Sequence, residues 1–224
     1  MDRLHRIRLL LGDAAIEKLR KSTVMVVGCG AVGSFATEAL ARSGIGHLVV
    51  VDFDRIEESN INRQLFALSN NIGTPKTAAA ASRIAQISPD IRVTELNLFF
   101  DSDTKLDIRP DFVIDAIDTV PSKIALATWC AKNNIPMIAS MGAALKTDMT
   151  KIRVAPISKT SVCPLASRVR RAVRDGGLPD FPAVFSTESP AVPALAGRNL
   201  GSMISVTGAF GLHLADYAIK YLIQ

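Results

Sequence analysis

Val24-Met25-Val26-Val27-Gly28-Cys29-Gly30-Ala31-Val32-Gly33, followed downstream by Asp52, decides the fold. Residues 24–28 read as a short buried strand, and residues 31–43 read as a helix. Between them Gly28, Gly30 and Gly33 have the G-x-G-x-x-G spacing. The first glycine permits a tight turn, the second lets a phosphate approach the backbone, and the third lets the helix pack on the strand. The start of the helix offers free N–H groups and a partial positive charge to an anion. Asp52 ends the next apolar strand, 47–52, where a ribose-binding acid belongs. Strand, glycines, helix, strand and acid in that order predict a nucleotide site. They do not say which nucleotide, and NAD is the default.

The glycine run sits in a chain of 224 residues with 48% hydrophobic residues, enough for one domain with a real core. No apolar run reaches the roughly 18 residues that span a bilayer. The N-terminus, MDRLHRIRLLLGD, lacks a long apolar stretch and a small-residue cleavage site, so a cytoplasmic location is expected. Cys29, Cys130 and Cys163 are scattered, with no CxxC pair, which excludes a disulfide framework or a four-cysteine zinc site within one chain. Cys130 reads as packing, and Cys163, in a polar stretch before Pro164, as exposed. The net charge of +5 is mild. Its distribution is more telling. Arg168, Arg170, Arg171 and Arg174 crowd one segment and Arg3, Arg6 and Arg8 another, each either a phosphate-binding patch or a solvated helix face.

Outward from the glycine run, residues 22–140 alternate strand and helix. Strands are expected at 24–28, 47–52, 91–97, 112–116 and 136–140, and helices at 31–43, 75–88 and 121–133, with Pro75 and Pro121 in first helical turns. The alternation predicts an α/β fold, a doubly wound, mostly parallel Rossmann-like sheet with helices on both faces. Residues 1–21 read as a helical arm broken near Gly12, with Asp13 as N-cap of the second piece. Residues 22–224 read as a single nucleotide-binding domain, with 141–204 an irregular extension facing the substrate. Within that extension, 151–155 is a candidate strand and 165–174 a short basic helix. Residues 175–199, rich in Gly, Pro and Ser, read as one long loop. From Ser205 an apolar terminal helix returns to the core.

A second constellation bears on the nucleotide. After Asp52 comes an acidic, Asn-rich loop, then Arg63-Gln64, then Lys76 at a helix start. A guanidinium and an ammonium converging on the glycine loop suit a triphosphate better than a dinucleotide. The string DAIDT, 115–119, ends a strand on the ligand side of the sheet. Asp118 there is a candidate magnesium ligand, or else a helix N-cap; Asp115 supports the loop. Together these residues describe an ATP site for adenylation. A carboxylate, already ionised at pH 7, attacks the α-phosphorus, while Arg63, Lys76 and the metal stabilise the charge that develops.

With GCGAVGS, VDFD, SNINRQ, GTPK and DAID on the page, the chain resembles the ThiF/MoeB/HesA superfamily, relatives of ubiquitin-activating enzymes. The likeness runs from about residue 3 to residue 145. It implies that Asp52 binds ribose, that Asn60, Arg63 and Lys76 contact phosphates, and that Asp118 stands near the metal. Asp54, Asn62 and Gln64 fall inside the same motifs, Thr119 directly follows the last, and the four complete the implied nucleotide site. Arg6 matches an arginine that reaches the ATP of the other subunit in a homodimer, with Arg3 and Arg8 as close alternatives.

The sulfur-carrier activators of this superfamily carry two CxxC pairs and a sulfur-transfer cysteine, which this chain does not match. LLLGDAAIEKL, ARSGIG, VIDAIDT, the KT-x-x-x-PLA segment at 159–166 and VFSTE at 184–188 are instead similar to the branch that dehydrates threonylcarbamoyladenosine in tRNA. That resemblance implies ATP and Mg2+ as cofactors, a tRNA anticodon arm held by the Arg168–Arg174 cluster, a homodimer, and room for a sulfur-relay partner. Adenylation of a small ubiquitin-like sulfur carrier is the alternative, and a nucleotide-binding protein or NAD-dependent oxidoreductase a third.

Overall fold

Along the strand β1 (Thr23–Val27), Val24 and Val26 turn to one side and Met25 and Val27 to the other, and all four are buried. The same alternation continues in β2 (His47–Val51) and β4 (Phe112–Asp115). Strands that are apolar on both faces belong in the middle of a covered parallel sheet. The computed structural model, which describes residues 2–191 and 200–224, has that architecture. Its seven strands run in the order β3-β2-β1-β4-β5-β7-β6, with β3 Arg92–Leu96, β5 Met137–Ser140, β6 Ile152–Pro156 and β7 Pro182–Ser186. All neighbours are parallel except β6, which runs antiparallel along β7 at one end of the sheet.

One face is covered by α2 (Asp13–Lys21), α3 (Gly33–Arg42), α4 (Lys76–Ile87) and the terminal helix α7 (Ile204–Ile223), and the other by α5 (Val120–Asn133) and α6 (Pro164–Asp175). A short helix, α1 (His5–Leu11), precedes them and turns into α2 at Gly12, whose φ is 83°. Ile16 and Leu19 of α2 lie in the core beside α3 and α7. No helix among the described residues is long and apolar enough to cross a membrane.

Several expectations are corrected. The largest concerns 175–199: it is not one long loop, because β7 lies within it and pairs with both β5 and β6. Residues 192–199 of that reading, like Met1, lie outside the described residues. Asp13 is not an N-cap; Gly12 occupies that position, and Asp13 begins the helix and pairs with Arg8. Pro75 sits just before α4 rather than in its first turn. Helix α3 begins at Gly33, two residues later than expected, so Ala31 and Val32 remain in the glycine turn.

Candidate nucleotide site

The carboxyl ends of β1, β2 and β4 open on one crevice, the usual ligand position in a doubly wound sheet. The glycine turn forms its floor. Gly28 has φ 97°, and a Cβ there would lie 2.7 Å from the Ala116 carbonyl oxygen. A Cβ on Gly33 would lie 1.7 Å from the Gly28 carbonyl oxygen, so neither position accepts a side chain. Gly30 differs. Its open side faces only the Gln64 amide, 3.8 Å away, as a position kept clear for a ligand requires.

Asp52 directly follows β2 and holds the turn in place. One carboxylate oxygen accepts from the Cys29 N–H at 2.7 Å and the other from the Asp54 N–H at 2.8 Å. Each oxygen keeps a second lone pair for a hydroxyl. Asp54 in turn accepts from Lys76, the first residue of α4, at 2.7 Å, and the Lys76 side chain is only 9% exposed. The Lys76 N–H also donates to the Asp54 carbonyl. A nearly buried ammonium therefore shares its charge with a half-exposed carboxylate two residues beyond Asp52.

The SNINRQ stretch forms a 3-10 turn, Glu58–Asn60, closed by reciprocal bonds between Glu57 and Asn60. Asn60 is buried, and Gln64 is buried with its amide toward Gly30. The Leu65 N–H donates to Ser34 at the start of α3, which ties this stretch to the glycine turn. Arg63 donates to the Ser59 carbonyl at 2.7 Å and to the Asn62 side-chain oxygen at 2.9 Å. Both acceptors are neutral, so the positive charge of the guanidinium is not compensated by them.

On the opposite wall, Asp118 is exposed and makes no hydrogen bond or ion pair among the described residues. It is not the N-cap of α5, a position taken by Thr119, whose side chain makes no capping bond. Asp115 does support the loop, accepting from the Ile117 N–H at 2.9 Å. It also contacts the Lys123 ammonium at 2.9 Å, and both side chains are 1% exposed. Burial pushes the Asp115 carboxyl above its ordinary range, an effect that Lys123 opposes. Sequence reasoning missed Lys123, although a lysine in the apolar first half of α5 was the available signal.

The three N-terminal arginines separate. Arg3 contacts Ser88 and Asp90, and Arg8 contacts Asp2 and Asp13. Arg6 is exposed and has no such partner among the described residues. The basic cluster on α6 separates too. Arg170 donates twice to Thr160, and Arg174 pairs with Asp175. Arg168 and Arg171 are exposed without an ion-pair partner among the described residues. Arg170, Arg171 and Arg174 border a cavity with Ser158 and Asp180, of about 460 Å³. It lies near the amino end of β7, away from the glycine turn.

Cys163 is not exposed, contrary to expectation. It is buried at the N-cap of α6, where its sulfur accepts from the Gly142 and Ala166 N–H groups. Cys29 is buried within the glycine turn, and burial raises its thiol well above the ordinary value. All three cysteines are free.

The ThiF family model matches residues 2–224. A tRNA threonylcarbamoyladenosine dehydratase of Bacillus subtilis is 46% identical over 191 residues, covering 84% of this chain and 75% of the relative. The crystal structure of the Escherichia coli tRNA N6-threonylcarbamoyladenosine dehydratase in complex with AMP superposes with a TM-score of 0.93 at 37% identity, over 99% of this chain and 94% of that one. The ATP complex of the same enzyme gives 0.92 at 36% identity, over 99% and 93%.

Proposed function

The chain belongs to the ThiF family, and from that premise we propose that it dehydrates threonylcarbamoyladenosine in tRNA, using ATP. The whole-length likeness to a dehydratase solved with AMP and with ATP carries the reading. The cations beside the glycine turn supply its chemistry.

ATP lies in the crevice with its ribose on Asp52 and its phosphates over Gly30, within reach of Asn60, Asn62, Arg63, Gln64 and Lys76. The threonyl carboxylate of the modified adenosine attacks the α-phosphorus, and pyrophosphate leaves. Lys76 and Arg63 stabilise the charge on the phosphoryl oxygens. The neighbouring carbamoyl group then attacks the activated carbonyl, a ring closes and AMP departs. The net loss is one water. Because the second attack is intramolecular, holding the side chain in a near-attack pose accelerates it.

The residues present fit a magnesium ion. It usually takes one or two carboxylates and fills its shell with phosphate oxygens and water, and Asp118, exposed and without a partner among the described residues, would supply one. When bound, the ion neutralises phosphate charge.

Residues 1–21 lead into a single domain, 22–224, with α1 as the arm and α2 packed on the core, and the described residues of the 141–204 segment face the substrate. Arg6 reaches the ATP of a second copy in a homodimer. Arg168 and Arg171 meet the phosphates of the anticodon arm, while Arg170 and Arg174 shape the helix that carries them. A tRNA substrate fits a cytoplasmic location, where a sulfur-relay protein is a further partner.

Mass spectrometry of nucleosides from threonylcarbamoyl-modified tRNA, incubated with the protein and ATP, tests the reading. A product lighter by one water, dependent on ATP, is expected. Unaltered nucleoside, with pyrophosphate exchange stimulated only by a Gly-Gly-ended carrier protein, would overturn it in favour of a carrier activator.

A further inference from the structure

Lys123 occupies a costly place. It lies in the first turn of α5, where the helix dipole disfavours a cation. Its side chain is 1% exposed, and its ion-pair partner among the described residues is Asp115, 2.9 Å away. A buried ion pair seldom adds net stability over apolar residues of similar volume.

What the pair does is tie two elements together. Asp115 is the last residue of β4, and Lys123 is one turn into α5. Between β4 and α5 runs the four-residue link, 116–119, that carries Asp118. The other Asp115 oxygen holds the Ile117 N–H within that link. Ala116 donates its N–H to the Val27 carbonyl at the end of β1. Its carbonyl fills the space a Gly28 side chain would need, and its methyl lies 3.2 Å from where a Gly33 Cβ would be. The link is therefore held against the glycine turn on one side and against the ion pair on the other.

We propose that Lys123 and Asp115 are positioning residues that fix Asp118 relative to the phosphate cradle during adenylation. The inference rests on the reading of Asp118 given above. Neither residue touches ATP. They set the distance between the wall that carries Asp118 and the floor that carries the phosphates. Their loss therefore lowers turnover rather than nucleotide binding.

The test compares three variants of the full chain in ATP–pyrophosphate exchange with modified tRNA: Lys123→Met, the neutral pair Asp115→Asn with Lys123→Met, and Asp118→Asn. Lys123→Met leaves a buried carboxylate uncompensated and is expected to be less stable. The neutral pair removes both charges and is expected to unfold near the wild-type temperature. In the neutral pair kcat should fall by about ten- to a hundredfold, with KM for ATP within about twofold, as a misplaced reacting group predicts. Amide exchange at residues 116–119 should quicken. A neutral pair with wild-type kcat would overturn the inference, because stability alone would then account for the pair. If Asp118→Asn is impaired in that case, only the positioning role fails. If Asp118→Asn exchanges pyrophosphate like the wild type, the Asp118 reading fails and the inference falls with it.

Discussion

The two walls of the crevice are built from the same parts in different pairings. On the β2 side an inner aspartate, Asp52, binds backbone N–H groups, an outer one, Asp54, faces the opening, and a lysine begins the following helix. On the β4 side the inner aspartate is Asp115, the outer one is Asp118, and a lysine lies in the first turn of the following helix. The difference is which carboxylate receives the lysine. Lys76 pairs with the outer, half-exposed Asp54, a partner that a phosphate can replace. Lys123 pairs with the inner, buried Asp115 and is closed to any ligand. On the proposed reading, one lysine is a cation on loan to the crevice, and the other is part of the frame.

The largest expected effect comes from removing the loaned cation. Lys76→Ala should lower pyrophosphate exchange by at least about a hundredfold, as loss of a transition-state donor does, while the unfolding temperature changes little. Exchange near the wild-type rate would erase the distinction between the walls. A change outside both walls calibrates the comparison. Charge reversal at Arg168 and Arg171 should weaken tRNA binding about tenfold and flatten its salt dependence, with ATP affinity by calorimetry unchanged. Unaltered tRNA binding would make that face merely solvated.

Asp54→Asn sharpens the idea of a loan. The pair is open to water on its Asp54 side, and a partly solvated ion pair contributes on the order of 1 kcal/mol. Freeing Lys76 should therefore tighten ATP binding by up to about fivefold; weaker binding would mean that Asp54 itself holds the nucleotide. The smallest effect lies in the 141–204 segment. There Glu188 accepts from the Asp148 N–H, the main cause of its lowered pKa, and from Thr147. A carboxyl lowered in the folded state stabilises it above the ordinary carboxylate pKa, and that stability disappears as pH falls through the folded value. Glu188→Gln should make thermal stability less dependent on pH in that acid window, with a shift of a few degrees. An identical pH profile would leave the carboxylate without this role.

The same wall comparison explains what was legible in the sequence. Val24 to Asp52 announces strand, turn, helix and acid in local order, because each step depends on neighbours a few residues away. Asp115 and Asp118 stand out as a spaced pair at a strand end. Lys123 does not, because a lysine in a first helical turn ordinarily points to water, and only the packing of α5 on β4 buries it. β7 escaped for a related reason. Its five residues, Pro182–Ser186, are flanked by Gly176, Gly177, Pro179 and Pro190, all turn formers. Its partners lie far along the chain, and strand formation there depends on that tertiary context. That Arg6 alone of the three clustered arginines has no carboxylate partner among the described residues was likewise visible only once Arg3 and Arg8 had found theirs.

The outermost strands have a consequence for how copies of the chain can meet. β3 carries exposed Arg92 and Glu95, and β6 carries exposed Arg153 and ends at Pro156. Charges and proline along a border deny another backbone a template for pairing. Association by extending the sheet is thereby discouraged from either side. Two copies are left to meet through helices and loops, and α1 presents Leu9 and Leu10, both well exposed, on the same short helix as Arg6.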